Sequence, residues 1–458
     1  MHETAAISGP ARSALEEQQG ITRDLLGRLF KASSRFWGAV VVMGILFVLG
    51  IVGVVIRMQG GFADRAPWGY YAATFAFLLT TFQAAPIVSL ATRMVKGHWR
   101  RPLARASEMF AVVGVLNVLL FLPLLALLPP VQGRRSIWFE WPVGAPYLYD
   151  ALAVLFLAVC GLGLLYTAAL PDMAAARDHS TGRRRTLFAR LALHWQGTPG
   201  QWRVQRAALG FFGAFYLLFF VFTHWLVSSD FVMSMVPGWI DSLFPAFHAL
   251  SGLQSAVAIT LVTIGILRWA GGLKGYLGVE QSWGLSKLLL ALSLLWFYFW
   301  WAGFITLWYG KQPGEQAVLT LLMFGPYQAV FYTAFALNFA VPFLILLWNA
   351  ARKSVLGPSL AGASVLIGTF ADRLRLYVAA FSVDNIKAHE LDHIPAVRLP
   401  DGADVLIMAG MVAGAILLYM LATRLLPMVS IWEVKELLHY RVVRPFLKTK
   451  IVVLAKPD

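Results

Sequence analysis

The sequence predicts an all-α integral membrane protein, as its composition and its hydropathy both indicate. Of the 458 residues, 59% are hydrophobic and only 13% are charged, about half the charged fraction of a soluble protein. The mean hydropathy is +0.68. Ten apolar runs are each long enough to cross a bilayer core of about 30 Å as a helix. Helices are expected because an open sheet leaves backbone groups unsatisfied in lipid.

The ten predicted transmembrane helices are joined by connections too short to form soluble domains. Their ranges are 36–57, 69–93, 109–129, 145–170, 207–228, 243–268, 284–309, 319–348, 355–381 and 403–426. The chain therefore divides into a cytoplasmic N-terminal segment (1–35), a membrane domain (36–426) and a basic cytoplasmic tail (427–458). Within the first segment, the interrupted apolar face of 21–33 favours a helix on the membrane surface, although a frayed terminus explains it equally well.

Basic residues are unequally distributed between the two sets of alternate connections. The N-terminal segment, the tail and every second loop hold 29 of the 38 Lys and Arg residues, whereas the other loops hold 7. Because basic loops remain on the cytoplasmic side, both termini are predicted to be cytoplasmic. The net charge of +15 then reflects contact with anionic lipid. No basic, aromatic-rich soluble segment is long enough to bind nucleic acid.

The cysteine and histidine content limits the cofactors that this chain can hold. Cys160 is the single cysteine, so the chain cannot supply the thiolates of an iron–sulfur cluster. His224 and His248 lie at similar depths on consecutive helices, as two haem ligands would. We favour hydrogen bonding near the bilayer surface for this pair. We therefore predict no haem, no iron–sulfur cluster and no other metal.

Ionisable side chains inside the helices are the candidate functional residues, because charge is costly in a bilayer. Those toward the outer side are Asp150, His224, Asp230, Asp241, His248, Asp372, Arg373 and Arg375. Structural explanations also exist, such as a helix cap for Asp241 and snorkelling of Arg375. Asp372 and Arg373 point about 100° apart as helical neighbours. Asp150 is therefore a candidate partner for Arg373.

Three further polar residues lie deeper or on the inner side. Glu108 begins helix 3 and Asp172 follows helix 4, positions suited to a proton path from the cytoplasm. Gln83 lies midway along helix 2. Its amide could bind a ligand carbonyl, but a hydrogen bond to a neighbouring helix is the interpretation we favour.

Several motifs, in order along the chain, are similar to those of the NrfD / polysulfide-reductase membrane-subunit family. The closest resemblance is to the quinol-binding membrane subunits of alternative complex III. The motifs are PWGYY (67–71), GHWRRPLARASE (97–108), LYDALAV (148–154), PDMAAARD (171–178), HWLVSSDFVMSMVPGW (224–239), LFPAFHALSG (243–252), WYG (308–310), FADRL (370–374) and LPMVSIWEVKE (426–436).

The resemblance implies a multi-pass subunit of the bacterial inner membrane, with helices 2–5 and 6–9 forming two bundles. Such subunits belong to respiratory electron-transport complexes and bind quinone, either menaquinone or ubiquinone, near the outer side. They exchange electrons with an iron–sulfur protein docked there. The implied partners also include further membrane subunits, cytochrome or molybdopterin subunits, and lipid, but no nucleic acid.

The family pattern also implies site residues and shows where this chain departs from it. QAAP (83–86) replaces the helix 2 motif that carries a histidine, and Gly303 lies near the position of a helix 7 glutamate. The quinone-site residues are predicted to be Gln83, Asp150, His224, Asp230, His248, Asp372 and Arg373. The proton path is predicted to use Glu108, Asp150, Asp172 and Asp372.

Two other functions are consistent with the sequence. The missing helix 2 histidine is also expected of a non-catalytic anchor subunit in the same type of complex. A secondary transporter is the alternative from another class, and it predicts broken helices and polar groups at the bilayer midplane.

The predicted topology is testable with reporter fusions. Fusions after residues 60, 135, 235, 313 and 395 should report the outer side of the membrane, and fusions after 100, 190 and 275 should report the cytoplasm. A swapped signal at any of these sites would place the ionisable residues of the predicted outer cluster on two different faces.

Overall fold

The computed structural model describes residues 9–128, 145–446 and 449–454, which are mainly helical. The α-helices are α1 (Gly9–Phe30), α2 (Ser34–Gln59), α3 (Gly69–Thr80), α4 (Pro86–Met94), α5 (Arg101–Glu108), α6 (Val113–Leu125), α7 (Ala145–Asp178), α8 (Gly182–Leu191), α9 (Pro199–Phe231), α10 (Phe244–Trp269), α11 (Val279–Gly310), α12 (Pro313–Leu319), α13 (Gln328–Phe335), α14 (Val341–Leu347), α15 (Asn349–Arg352), α16 (Leu356–Phe381), α17 (Gly402–Ala422) and α18 (Ile431–His439). Strands β1 (Arg441–Phe446) and β2 (Thr449–Leu454) form an antiparallel hairpin after α18.

Eight helical segments in the described part of the chain are long and apolar enough to cross a membrane. They are Ser34–Gln59, His98–Leu125, Tyr147–Asp178, Pro199–Met235, Phe244–Trp269, Val279–Gly310, Gln328–Leu347 and Gly402–Ala422. The prediction of a helical, multi-pass membrane protein is confirmed. Two of the ten predicted runs, 69–93 and 355–381, are not among these eight, and each differs for a physical reason.

The run 69–93 is not one continuous helix. It divides into α3 and α4, with residues 81–85 forming a turn between them. Pro86 explains the break, because proline has no N–H to donate to the preceding helical turn. The backbone N–H of Gln83 donates to the carbonyl of Leu78, five residues earlier, at 3.0 Å. Gln83 therefore lies in a buried turn between two short helices.

The run 355–381 forms the continuous helix α16. It differs from the eight membrane-spanning segments in its charge and not in its length. Asp372, Arg373 and Arg375 are all buried, with at most 2% of each residue exposed. Helix α16 packs against α3, α10 and α13. Its charged face is therefore directed into the protein and away from lipid.

The run 319–348 is interrupted by two π-helical turns, Thr320–Phe324 and Ala336–Ala340. Pro342 accounts for part of the second interruption, because its missing N–H leaves the carbonyl of Asn338 without its helical donor. The side-chain amide of Gln254 donates to this carbonyl at 2.8 Å. A proline in one helix thus creates a hydrogen bond to another.

The helices pack as two groups and a peripheral pair. Helices α7 and α9 pack together in the first group, α10, α11 and α16 in the second, and α9 packs against α10 between the groups. The peripheral pair is α2 and α17. Gly50 and Gly410 lie where these two backbones come closest, since a Cβ built on Gly410 would be 2.3 Å from the Gly50 Cα.

The two ends of the helical assembly differ in their contacts. Helix α1 packs against α18, and Phe30 of α1 lies beside Phe188 of α8. We call this the terminal end. At the other end, which we call the loop end, residues 232–243 and 382–401 connect the helices, and Gly238 lies against Gly314.

The glycine contact between α2 and α17 predicts a position-specific effect on stability. Gly50→Leu should destabilise the protein by about 1–3 kcal/mol, because the added side chain has no space between the helices. Gly44→Leu is the matched control on α2, since nothing lies within 4 Å of a Cβ at that position. Thermal unfolding in detergent should show a lower Tm for Gly50→Leu only, and equal losses in both variants would contradict the close approach.

Candidate functional site

The loop end holds a group of buried histidine, tyrosine and arginine side chains. The rings of His224 on α9 and His248 on α10 have centroids 5.2 Å apart. The Nε2 atom of His248 lies 3.1 Å from the hydroxyl of Tyr377 on α16. Arg373 interacts electrostatically with both histidines. The structure thus brings His224, His248 and Tyr377 together, with Arg373 near both histidines.

The hydrogen bond of His224 defines which of its ring nitrogens is available. Its Nδ1 lies 2.9 Å from the carbonyl of Phe220, and because a carbonyl only accepts, Nδ1 carries the hydrogen. Nε2 is then an acceptor, and it has no hydrogen-bond partner among the described residues. A Cβ on Gly252 would lie 2.9 Å from this nitrogen. Glycine at that position allows the imidazole to pack directly against α10.

Asp372 connects two arginines on the same helix. Its Oδ1 accepts hydrogen bonds from Arg375, at 2.9 Å from Nε and 2.7 Å from NH2. Its Oδ2 lies 3.7 Å from the NH1 atom of Arg373. The three-residue spacing explains why Arg375, and not the adjacent Arg373, makes the close contact. Arg375 is buried, so the expectation that it snorkels to head groups is wrong.

Asp150 and Asp230 form a pair of carboxyl groups inside the protein. The side chain of Asp150 on α7 lies near that of Asp230 on α9, and both residues are buried. Among the described ion pairs, Arg373 contacts Asp372 and not Asp150. The expected Asp150–Arg373 pair is therefore not formed.

Gln83 belongs to a separate polar contact in the first helix group. Its side-chain oxygen accepts a hydrogen bond from Asn117 on α6, and its backbone carbonyl accepts one from Tyr216 on α9. Tyr216 precedes His224 by eight residues, which corresponds to about 12 Å along a helix. Gln83 is therefore deeper than the histidines, and its contacts are those of a helix–helix hydrogen bond.

An aromatic cleft lies beside the buried loop-end groups. Its lining residues come from α10, α11, α12, α16 and the adjoining turns and include Trp239, Phe244, Phe247, Phe299, Trp300, Gly303, Phe304 and Arg375. The enclosed space is about 40 Å³. Phe244 lines the cleft and also approaches His248, with ring centroids 6.3 Å apart. Asp241 lies at the cleft too, and its Oδ1 caps α10 by accepting the N–H groups of Leu243 and Phe244.

A second polar group occupies the middle of the second helix group. Gln254 donates to Ser293 at 2.9 Å and to the Asn338 carbonyl at 2.8 Å. Ser255 lies 2.8 Å from Thr369, which in turn lies 3.1 Å from the side-chain oxygen of Asn338. These buried side chains link α10, α11 and α16 at the π-helical turn.

Glu108 and Asp172 lie at the terminal end, within a network of ion pairs. Glu108 is inside the span His98–Leu125 rather than at its start, and it accepts from Ser89 at 2.7 Å and Arg93 at 2.9 Å. Asp172 pairs with Arg105 at 3.0 Å. It also accepts hydrogen bonds from Ser430 and from two backbone N–H groups at the start of α18.

The same network fastens α18 to the membrane helices. Glu433 pairs with Arg100 at 2.9 Å and with Arg93 at 3.0 Å. Burial raises the pKa of Glu433, but Arg100 and Arg93 outweigh it, so the net pKa lies below the ordinary value. Of the two predicted inner-side residues, Asp172 holds the C-terminal helix directly, and Glu108 is linked to it through Arg93, which pairs with both Glu108 and Glu433.

Some functional candidates were missed by the sequence reasoning. Tyr377, Asn117 and Gln254 are uncharged, so a search for intramembrane charge does not select them. Their signal is a polar side chain at the centre of an apolar helix, where it requires a partner. Trp300 and Gly303 of the cleft carry no such signal, because aromatic and small residues are ordinary in membrane helices.

The contacts of His248 also distinguish a haem site from a hydrogen-bonded pair of histidines. A bis-histidine haem places iron between two imidazole nitrogens, whereas the Nε2 of His248 faces Tyr377 at 3.1 Å. This favours hydrogen bonding for the histidine pair. In the ranges that the structure describes, no group of three or more His, Cys, Asp or Glu side chains is placed to hold a metal ion.

Comparisons with known proteins do not assign this chain to a family. No protein-family model matches it, and no curated protein sequence matches it. Functional assignment therefore depends on the contacts themselves.

The lowered pKa of Glu433 predicts how the attachment of α18 depends on pH. A carboxylate with a lowered folded-state pKa stabilises the fold above its ordinary pKa, and this stability is lost as the pH falls through the folded value. The protection of 431–439 against hydrogen exchange, corrected for the intrinsic pH dependence of exchange, should therefore be unchanged between pH 7 and pH 6 and fall in stronger acid. Glu433→Gln should lower this protection at pH 7 by roughly a hundredfold, because the buried Arg100 and the partly buried Arg93 lose their partner at a cost of about 3 kcal/mol.

Glu436→Gln is the matched control for this measurement. Glu436 lies on the same helix and pairs with Arg101, but 39% of its side chain is exposed, so its loss should cost at most about 1 kcal/mol. Equal exchange in the two variants would show that Glu433 does not fasten α18.

Proposed function

We propose that this chain is a membrane subunit of a respiratory oxidoreductase complex that binds quinone or quinol at its loop end. In this proposal the subunit is of the NrfD type and exchanges electrons with an iron–sulfur protein docked at the loop end. The supporting observation is the aromatic cleft, which is lined by Arg375 and approaches His248 through Phe244.

The aromatic lining of the cleft is chemically suited to a quinone ring. A flat, apolar ring packs favourably against aromatic side chains, and Phe244, Phe247 and Trp300 supply them. The Trp300 Nε1 has no acceptor among the described residues, so it is free to donate to a quinone oxygen. The site is concave and mainly apolar with a few polar groups, as small-molecule sites generally are.

The neighbouring polar residues would orient the ligand and handle its protons. Quinone supplies two-electron chemistry that is coupled to two protons. Arg375 borders the cleft and is held in position by Asp372. His224 presents an acceptor nitrogen, and His248 contacts the Tyr377 hydroxyl. These imidazoles can hydrogen-bond an oxygen of the ligand, because each ring carries one donor and one acceptor nitrogen.

The distribution of exposed charge supports a cytoplasmic terminal end. Helix α8 exposes Arg183, Arg184 and Arg185 there, and basic segments are retained on the cytoplasmic side. In a bacterial inner membrane the loop end would then face outward, where the iron–sulfur partner is proposed to bind.

A secondary transporter is the second candidate, and the polar group around Gln254 favours it. Transporters bind their substrates near the midplane at interrupted helices. The α3–α4 break and the π-helical turn at Asn338 are interruptions of this kind. The same polar residues would also suit proton transfer through the subunit that we propose, so binding of quinone is the property that separates the two candidates.

Filling the cleft tests the quinone proposal directly. Gly303→Leu should weaken binding of a short-chain ubiquinone or menaquinone at least tenfold, because the leucine side chain occupies the space for the ring. Quenching of tryptophan fluorescence in the purified full-length protein measures this binding. Thr306→Leu is the control, since Thr306 lies on the same helix and is exposed.

A second variant separates an active site from an anchor. In the assembled complex, Arg373→Leu should abolish quinol-dependent electron transfer while assembly continues. Assembly with an unchanged rate, together with no quinone binding by the unaltered protein, would support the anchor alternative. Uptake of an ion or solute without quinone binding would support the transporter.

A further inference from the structure

A separate cavity lies at the terminal end, remote from the aromatic cleft. Its volume is about 300 Å³, and it is bordered by the end of α7, the start of α9 and helix α18. Three tryptophans form its aromatic wall. Trp195 and Trp202 have ring centroids 5.1 Å apart, and Trp202 lies 5.5 Å from Trp432.

Two hydrogen-bond donors converge in this cavity. The indole nitrogens of Trp202 and Trp195 lie 3.7 and 3.9 Å from the position that a Cβ on Gly197 would take. No described residue accepts a hydrogen bond from either nitrogen. Gly197 has a positive φ of 75°, a conformation that favours glycine and keeps the space beside the two donors free.

One positively charged side chain at the cavity has no carboxylate partner among the described residues. Asp172 is matched by Arg105 at 3.0 Å, and Asp178 is matched by Arg177 at 2.8 Å. Lys435 also lines the cavity, and no carboxylate in the described part of the chain lies within ion-pair distance of it. Lys435 thus provides an unmatched positive charge beside the two indole N–H groups.

The environment of Lys435 favours an added anion. Burial lowers the pKa of its ammonium group, and the nearby Asp172 opposes this shift only in part. A bound anion would offset the desolvation of the ammonium group by supplying a direct charge partner.

The surroundings indicate that this anion comes from lipid. Tryptophans concentrate at the bilayer surface. Leu193 and Val204 each lie two residues along the chain from a tryptophan of the cavity wall. They are 63% and 69% exposed, which suits contact with acyl chains. Nearby Arg203 and Arg206 are also exposed. Basic pockets at the cytoplasmic ends of membrane helices are typical sites for anionic head groups.

We infer that this cavity binds the phosphate of an anionic phospholipid head group. Lys435 pairs with the phosphate, and the indole N–H groups of Trp195 and Trp202 donate to its oxygens. The lipid would then contact α7, α9 and α18 together, fastening the C-terminal helix to the membrane domain. This inference is independent of the quinone site.

Lipid binding to the purified full-length protein tests the inference. After delipidation in detergent, native mass spectrometry should detect rebinding of phosphatidylglycerol in preference to phosphatidylcholine. Lys435→Gln should weaken phosphatidylglycerol binding about fivefold, as expected for one lysine near an anionic head group. Lys435→Arg should retain it. Trp202→Phe should also weaken binding, because the ring remains while the N–H donor is lost.

The control is Lys274→Gln, which removes an exposed lysine in the α10–α11 connection and should leave binding unchanged. Equal binding by the Lys435→Gln and Lys274→Gln variants would overturn the inference. Displacement of the lipid by inorganic phosphate alone would also overturn it, because the site would then select free phosphate. Failure to bind phosphatidylglycerol in the unaltered protein would point instead to an acidic partner protein.

Discussion

A charged side chain in a membrane-spanning helix needs a partner inside the protein, and this constraint organises the second helix group. Helix α16 carries Asp372, Arg373 and Arg375. Exposing any of these charges to lipid would cost free energy. The helix is accordingly enclosed by α3, α10 and α13. Placing its charges inside also creates the polar site at the loop end. The buried charges of α16 therefore explain both how this helix packs and where the candidate site lies.

Polar contacts continue between α10 and α16 beyond the loop end. His248 meets Tyr377, and about two turns deeper Ser255 meets Thr369. The partners run in opposite directions along the two helices, as expected of antiparallel neighbours. A polar seam therefore extends from the histidines to the π-helical turn at Asn338. At the terminal end, charged rather than neutral residues make the contacts, and they attach α18.

The sequence indicates the level of a polar residue along its helix but not its direction around that helix. The hydropathy pattern places His224, His248 and Arg373 at one level, and they do meet. Asp150 lies at the same level, yet it faces Asp230 because its helix packs on α9 rather than α16. The break after α3 was also missed, because TTFQAAP (80–86) is flanked by strongly apolar residues that keep the run 69–93 apolar as a whole. Pro86 was its signal.

The pairing of α2 with α17 has a consequence for how the protein is made. These are the first and the last of the eight long apolar segments, so the Gly50–Gly410 contact cannot form until nearly the whole chain has been synthesised. Until then α2 must remain in the bilayer alone. Its mean hydropathy of 3.1 is the highest of the eight, which suits a helix that is inserted early and waits for its partner. Assembly of this pair is therefore a late, long-range step.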